Sequence, residues 1–260
     1  MCVEKSRLRC LQAPIVAQER VAEGIFELRF AAPRLSHSLP GQFIHLLCGD
    51  SFLRRPFSIH RAEGEEITIL YRLQGAGTNW LSRQREGGLL NVLGPLGSSF
   101  ASPRENERIL LVGGGMGIAP LAFYAERHSH FPTEMIAMAG FRSASQVAGL
   151  QPFHRARVPL SLYSDDGSSG ERNRVTAGLS ERISEFGANR ILACGPEEMM
   201  KSISAIAEKM NLPCQVSLER KMACGTGLCL GCIVPVGNSE NYRRVCVDGP
   251  VFDAREIRWS

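Results

Sequence analysis

The sequence predicts a β plus α/β chain in three parts: an antiparallel β domain, a doubly wound parallel α/β domain, and a short cysteine-bearing subdomain. Three observations carry that reading. Short apolar segments broken by proline, glycine and charge fill residues 1–100. A continuous apolar stretch then runs into a glycine-rich turn and a helix, and further strands and helices alternate behind it. Cys224, Cys229, Cys232 and Cys246 gather near the C-terminus. The boundaries expected are 1–102, 103–214 and 215–260.

In the first part, IFELRF (25–30), GQFIHLLCG (41–49), ITILYRL (67–73) and LLNVLGP (89–95) read as strands of an antiparallel barrel or sandwich. GTNWLSRQRE (77–86) is expected to start a short helix capped by Thr78 or Asn79. After the polar ASPRENE (101–107), ILLVGGGMGIAPLAFYAER reads as a buried strand, a glycine turn and an amphipathic helix. MIAMAGF (135–141) and RILACG (190–195) are further buried strands. PEEMMKSISAIAEKM (196–210) reads as a helix with acidic residues near its start and lysines at Lys201 and Lys209. IVPVGNSENYRRVCV reads as a hairpin.

Composition narrows the function classes. The chain has 260 residues, 44% hydrophobic and 22% charged, ordinary for a globular protein. Its net charge is only +4 and its basic residues are scattered, which excludes a nucleic-acid-binding stripe. No run approaches the ~18 apolar residues of a membrane span, and no secretory signal is evident. A cytoplasmic location is therefore expected, where nine cysteines serve metal or redox chemistry better than disulfides.

Four motifs carry the chemistry. Gly113, Gly114, Gly115 and Gly117 form a strand-to-helix turn whose N–H groups can approach a phosphate. In LRRPFSIH (53–60), Arg55 is a fork suited to a pyrophosphate, Ser58 a hydroxyl and Phe57 a flat partner. YRLQGAGT (71–78) adds Tyr71, Arg72 and two glycines, and together these segments could line a groove for a large anionic aromatic ligand. ACGPEEMM places Cys194, Gly195 and Pro196 at a second strand end, where open α/β sheets bind ligands. The cysteines are spaced C-x4-C-x2-C with a single fourth, the plant-type [2Fe–2S] arrangement. Gly225, Gly227 and Gly231 would let the loop wrap a cluster. Zinc ribbons instead pair two short knuckles, and a redox C-x2-C at Cys229 and Cys232 would sit at a strand-to-helix turn.

The order RPFS, YRLQGAGT, GPLGSSF, GGGMGIAPL, CGPEEMM resembles the ferredoxin–NADP reductase superfamily, and the tail LERKMACGTGLCLGC…RVCVDGPVF is similar to electron-transfer subunits of NAD-linked dihydroorotate dehydrogenases. The resemblance implies a flavin-binding β-barrel, a nicotinamide domain and a [2Fe–2S] subdomain. It places Arg55, Pro56, Phe57, Ser58, Tyr71, Arg72, Gly75, Gly77 and Thr78 on FAD. Gly113, Gly114, Gly115 and Gly117 would hold NAD(H), with Cys194, Gly195 and Pro196 by its ring. Cys224, Cys229, Cys232 and Cys246 would ligate the cluster. SDDGSSGERNRVT departs from the family pattern, with Asn173 and Arg174 where a glycine usually stands, while Arg142 could meet a 2′-phosphate. The resemblance further implies a partner FMN-containing dihydroorotate dehydrogenase catalytic subunit in a heterotetramer of two of each. Flavin subunits of other NAD(P)H-linked complexes, such as a ferredoxin:NADP oxidoreductase, sulfite reductase or hydrogenase, and a zinc-stabilised binding module, are the alternatives.

Overall fold

The computed structural model describes residues 9–237 and 240–259. Its N-terminal part is a closed antiparallel barrel built from β1 (Arg9–Ala22), β2 (Ile25–Ala31), β3 (Phe43–Leu47), β4 (Arg55–Glu63), β5 (Glu66–Arg72) and β6 (Leu89–Leu96), in the order β1-β2-β5-β4-β3-β6. Alternation along each strand sends one face inward. Leu28 and Phe30, Ile44 and Leu46, Ile67 and Ile69, and Leu90 and Val92 form the barrel core. Helix α1 (Ala76–Leu81) follows β5. It begins earlier than the sequence suggested. Its N-cap is Gly75, and Thr78 lies inside, its hydroxyl accepting from the N–H groups of Gln74 (2.9 Å) and Gly75 (3.2 Å).

The second layer system holds β7 (Arg108–Gly114), α2 (Ile118–Arg127), β8 (Glu134–Phe141), α3 (Gln151–Arg155), β9 (Leu160–Ser164), β10 (Glu171–Arg172), α4 (Leu179–Phe186), β11 (Arg190–Cys194), α5 (Glu197–Lys209) and β12 (Cys214–Ser217). Then come the hairpin β13 (Ile233–Val236) and β14 (Asn241–Arg244), and β15 (Val251–Asp253). The large sheet has the order β10-β9-β8-β7-β11-β12-β15, parallel except for β15. Leu110 and Val112 pack with α4 and α5 on one face, whereas Ile109 and Leu111 pack with α2 and α3 on the other. The sheet is therefore covered on both sides, which explains its near-continuous apolar strands.

Helix α2 is not amphipathic in its surroundings. Every residue from Ile118 to Ala125 is buried, because the sheet covers one side and β4 of the barrel the other. The contact is sealed by Glu126, which accepts from Arg61 (3.0 Å) and Arg155 (2.6 Å). The cysteine segment leaves the sheet after β12 and returns to it as β15. Its Cys232, Val234, Val245 and Cys246 join the same core as α5, along with Phe43 and Leu96 of the barrel.

Candidate functional site

A cavity of about 450 Å³ lies where the barrel meets the sheet. All the residues expected for a flavin line it: Arg55, Pro56, Phe57 and Ser58 from β4, Tyr71 and Arg72 from the end of β5, and Gly75, Gly77 and Thr78 from the α1 turn. They converge because β4 and β5 are adjacent antiparallel strands. The Arg55 side chain crosses directly over Gly77, where a Cβ would sit 3.2 Å from its Cγ and Nε. Arg55 keeps its fork at the mouth by donating to the Leu53 carbonyl (2.7 Å). Tyr71 is a wall and not a proton donor. Its hydroxyl donates to Gln18 (2.9 Å), its ring stacks on Phe26, and burial pushes its ionisation well above the ordinary value.

A second cavity of about 750 Å³ opens at the ends of β7 and β11. Gly114, Gly115, Gly117, Gly195 and Pro196 line it. Gly113 and Cys194 line neither cavity. A Cβ on Gly113 would lie 2.6 Å from Ile118 Cδ1, so this glycine serves strand–helix packing. The Cys194 thiol is 1% exposed, and burial pushes its ionisation far up, so it is a small core residue. Gly117 approaches the backbone of β11 itself: a Cβ there would be 2.2 Å from the Cys194 carbonyl oxygen. Asp165, Asn173, Arg174 and Arg142 also line the second cavity, while Asp166 is spent on Ser168, accepting from its N–H (2.9 Å) and its hydroxyl (2.5 Å).

The two cavities share Arg72, Met116, Glu219 and Arg220. The last three were not assigned from the sequence. Arg220 is held by a two-pronged pair with Glu197 at the start of α5 (2.8 and 3.0 Å). Burial raises the Glu219 carboxyl above its usual range, and Arg72 opposes the rise. The signal for Glu219 and Arg220 was LERKM, directly before the cysteines, and for Met116 the GGGMG turn, but nothing in their composition says that they line both cavities.

The cysteine loop is organised round its sulfurs. Thr226 and Cys229 donate backbone N–H groups to Cys224 Sγ (3.4 and 3.5 Å), and Gly231 donates to Cys229 Sγ (3.5 Å). Slight burial would raise the Cys224 thiol, but these N–H groups hold it down to about 6. Burial, and then a hydrogen bond with Cys232, pushes Cys246 up to about 12. The thiols thus stand as two linked pairs, Cys224 with Cys229 and Cys232 with Cys246. Each iron of a [2Fe–2S] centre takes two cysteines. Gly225 (φ +69°) and Gly227 (φ +81°) make the tight turns; Gly231 has an ordinary φ, and Leu230 (φ +56°) takes the third left-handed position. Arg244 braces the loop, pairing with Asp248 through Nε (3.0 Å) and Nη2 (3.1 Å). The donor set and its N–H cradle fit the cluster.

Comparison with known proteins agrees with this geometry. A solved structure titled as an NADH-dependent reduced ferredoxin–NADP oxidoreductase matches with a TM-score of 0.82 and 29% identity, over 95% of this chain and 90% of that one. Barrel, sheet and paired cavities define the class: a ferredoxin-reductase-like electron-transfer protein that carries an iron–sulfur module. Residues 219–258 match the iron–sulfur cluster binding domain of dihydroorotate dehydrogenase B. Dihydroorotate dehydrogenase B (NAD(+)), electron transfer subunit, of Caldanaerobacter subterraneus subsp. tengcongensis is 38% identical over 95% of this chain and 98% of its own length. The protein of that name from Geobacillus kaustophilus is 37% identical, over 94% and 96%. The chain belongs to the family of dihydroorotate dehydrogenase B electron transfer subunits. No helix among the described residues is long and apolar enough to cross a membrane.

Proposed function

We propose that the chain relays electrons between NAD(H) and an FMN-containing dihydroorotate dehydrogenase catalytic subunit, in a cytoplasmic heterotetramer of two of each. The observation that carries this is the continuity of the site: Arg72, Met116, Glu219 and Arg220 bound both cavities, and the cysteine loop starts from the same segment. FAD, when bound, exchanges a hydride with the nicotinamide and single electrons with the cluster.

The chain's own residues bind, orient and exclude water. Arg55 and the α1 turn take the flavin pyrophosphate, Phe57 and Tyr71 wall the ring, and Ser58 faces its reactive edge. Gly114, Gly115 and Gly117 take the dinucleotide phosphates, and Gly195 and Pro196 bound the nicotinamide end. Cys224, Cys229, Cys232 and Cys246 hold the cluster. Glu219 and half-buried Met116 border the junction between the two cavities. Hydride transfer needs no acid–base side chain, which agrees with Tyr71 and Cys194 being locked in packing. Cys229 is exposed on the loop between Leu228 (84% exposed) and Leu230 (56%), an apolar edge suited to a partner subunit.

Serine at Cys229 tests the relay. In Cys229→Ser we expect loss of cluster iron and sulfide with NADH-dependent bleaching of the flavin retained, read by anaerobic visible spectra and metal assay. Loss of both functions in a folded protein would argue against a separable relay.

A further inference from the structure

Strand β3 alternates like its neighbours, so Ile44 and Leu46 enter the barrel while Phe43 and His45 turn outward. An outward histidine on a barrel ordinarily reaches water. His45 does not: it is fully buried, and neither ring nitrogen has a hydrogen-bond partner. An imidazole always has at least one N–H to place, and a buried donor without an acceptor is disfavoured. The cysteine loop is what covers it. A Cβ on Gly225 would lie 2.7 Å from His45 Cε1 and 2.8 Å from Nδ1, so only glycine lets the loop close on the ring. Gly225 directly follows Cys224. Phe43 stands 5.6 Å from the ring, centroid to centroid, and Pro56 lies opposite His45 in register; both line the flavin cavity.

We propose that His45 is a positioning residue that donates a ring N–H to a sulfur at the Cys224 end of the cluster, and so raises its reduction potential. The inference rests on the electron-relay reading above. Hydrogen bonds to cluster sulfurs favour the reduced, more negative form, and partners one step behind the ligands tune such centres. The vacant nitrogens of His45 are unsatisfied within the protein and face the one loop built to carry thiolates. Its place between the flavin wall and that loop makes it the side chain through which the barrel acts on the cluster.

The test uses the holoprotein grown on 15N-histidine, reduced anaerobically and examined by pulsed EPR, with midpoints from EPR-monitored titration. We expect a 15N coupling that disappears in His45→Phe. The same variant should shift the one-electron equilibrium about tenfold toward the oxidised cluster, roughly 59 mV. His45→Gln, which keeps an N–H donor, should recover part of that shift. A reduced-cluster signal without histidine coupling, or equal midpoints in the Phe, Gln and unmodified proteins, overturns the proposal and leaves the relay standing. Absence of any cluster signal, iron or sulfide in the unmodified protein overturns both. If His45→Phe fails to load a cluster, the coupling in the unmodified protein and the His45→Gln midpoint decide.

Discussion

At the scale of single residues, the four glycines of one turn do different work. Gly115 (φ +53°) has open space around it, so it is fixed by backbone conformation alone. Gly117 is fixed by contact with the Cys194 carbonyl. Gly117→Ala should therefore destabilise by ~1–3 kcal/mol through overpacking and weaken NADH binding, measured by urea denaturation and by fluorescence titration. Equal effects from Gly115→Ala would contradict this division. The motif GGGMG was legible as a strand-to-helix turn because its glycines fall together at a strand end. Which of them line the cavity was not legible, because that depends on β11 lying alongside β7. His45 was invisible for the same reason: GQFIHLLCG reads as an ordinary strand until a loop from residue 225 folds across it.

Among the elements, the strands with clean apolar runs could be read directly, and α5 appears where its sequence placed it, at Glu197–Lys209. β1 was missed. It carries Gln12, Gln18, Glu19 and Arg20, and register shifts between Ile15 and Ala17 and between Arg20 and Ala22 break its alternation. Helix α2 looked amphipathic because Glu126 and Arg127 end it, yet its covering strand β4 comes from far away in the chain. The connection between barrel and sheet is fastened by a group of three, buried Arg190 and Tyr124 with half-buried Glu107. Arg190 pairs with Glu107 (3.1 Å) and donates to the Tyr124 hydroxyl (2.7 Å), which donates to the Ala101 carbonyl (3.1 Å). Glu107→Ala leaves the buried Arg190 charge without its counter-ion, held only by Tyr124 and the Ser102 carbonyl (3.2 Å), which should cost about 3–5 kcal/mol in a urea unfolding titration. The joint replacement Glu107→Leu with Arg190→Met should recover much of it.

Across the whole molecule, the contact between barrel and sheet also makes stability depend on pH. His60 of β4 is 2% exposed against α2, its Nδ1 3.3 Å from the Ala119 carbonyl. Burial lowers its pKa to about 4, and the hydrogen bond to Ala119 only partly opposes this. The unfolded chain takes up that proton near pH 6.5, ahead of the folded one. Stability is therefore full above about 6.5 and falls as pH drops toward 4, by roughly 3 kcal/mol for this group. Melting temperatures followed over that range should fall less steeply in His60→Phe, with the remaining slope left to His45 and His128, whose pKa burial also lowers to about 4; an unchanged slope would assign the acid sensitivity elsewhere.

The pairing of β12 with β15 has a consequence for the order in which this molecule is made. A ribosome releases the barrel, then the parallel strands through β12, while β15 is still to come. Until then the flank of β12 is an open edge, able to pair with a stray strand. Everything between Leu218 and Pro250, including Cys224, Cys229, Cys232 and Cys246, must emerge before Val251–Asp253 can seal it. Completion of the sheet and availability of the metal site thus fall at the same moment of synthesis. A nascent chain stalled within the cysteine loop would have the walls of both cavities nearly built and its sheet still unsealed.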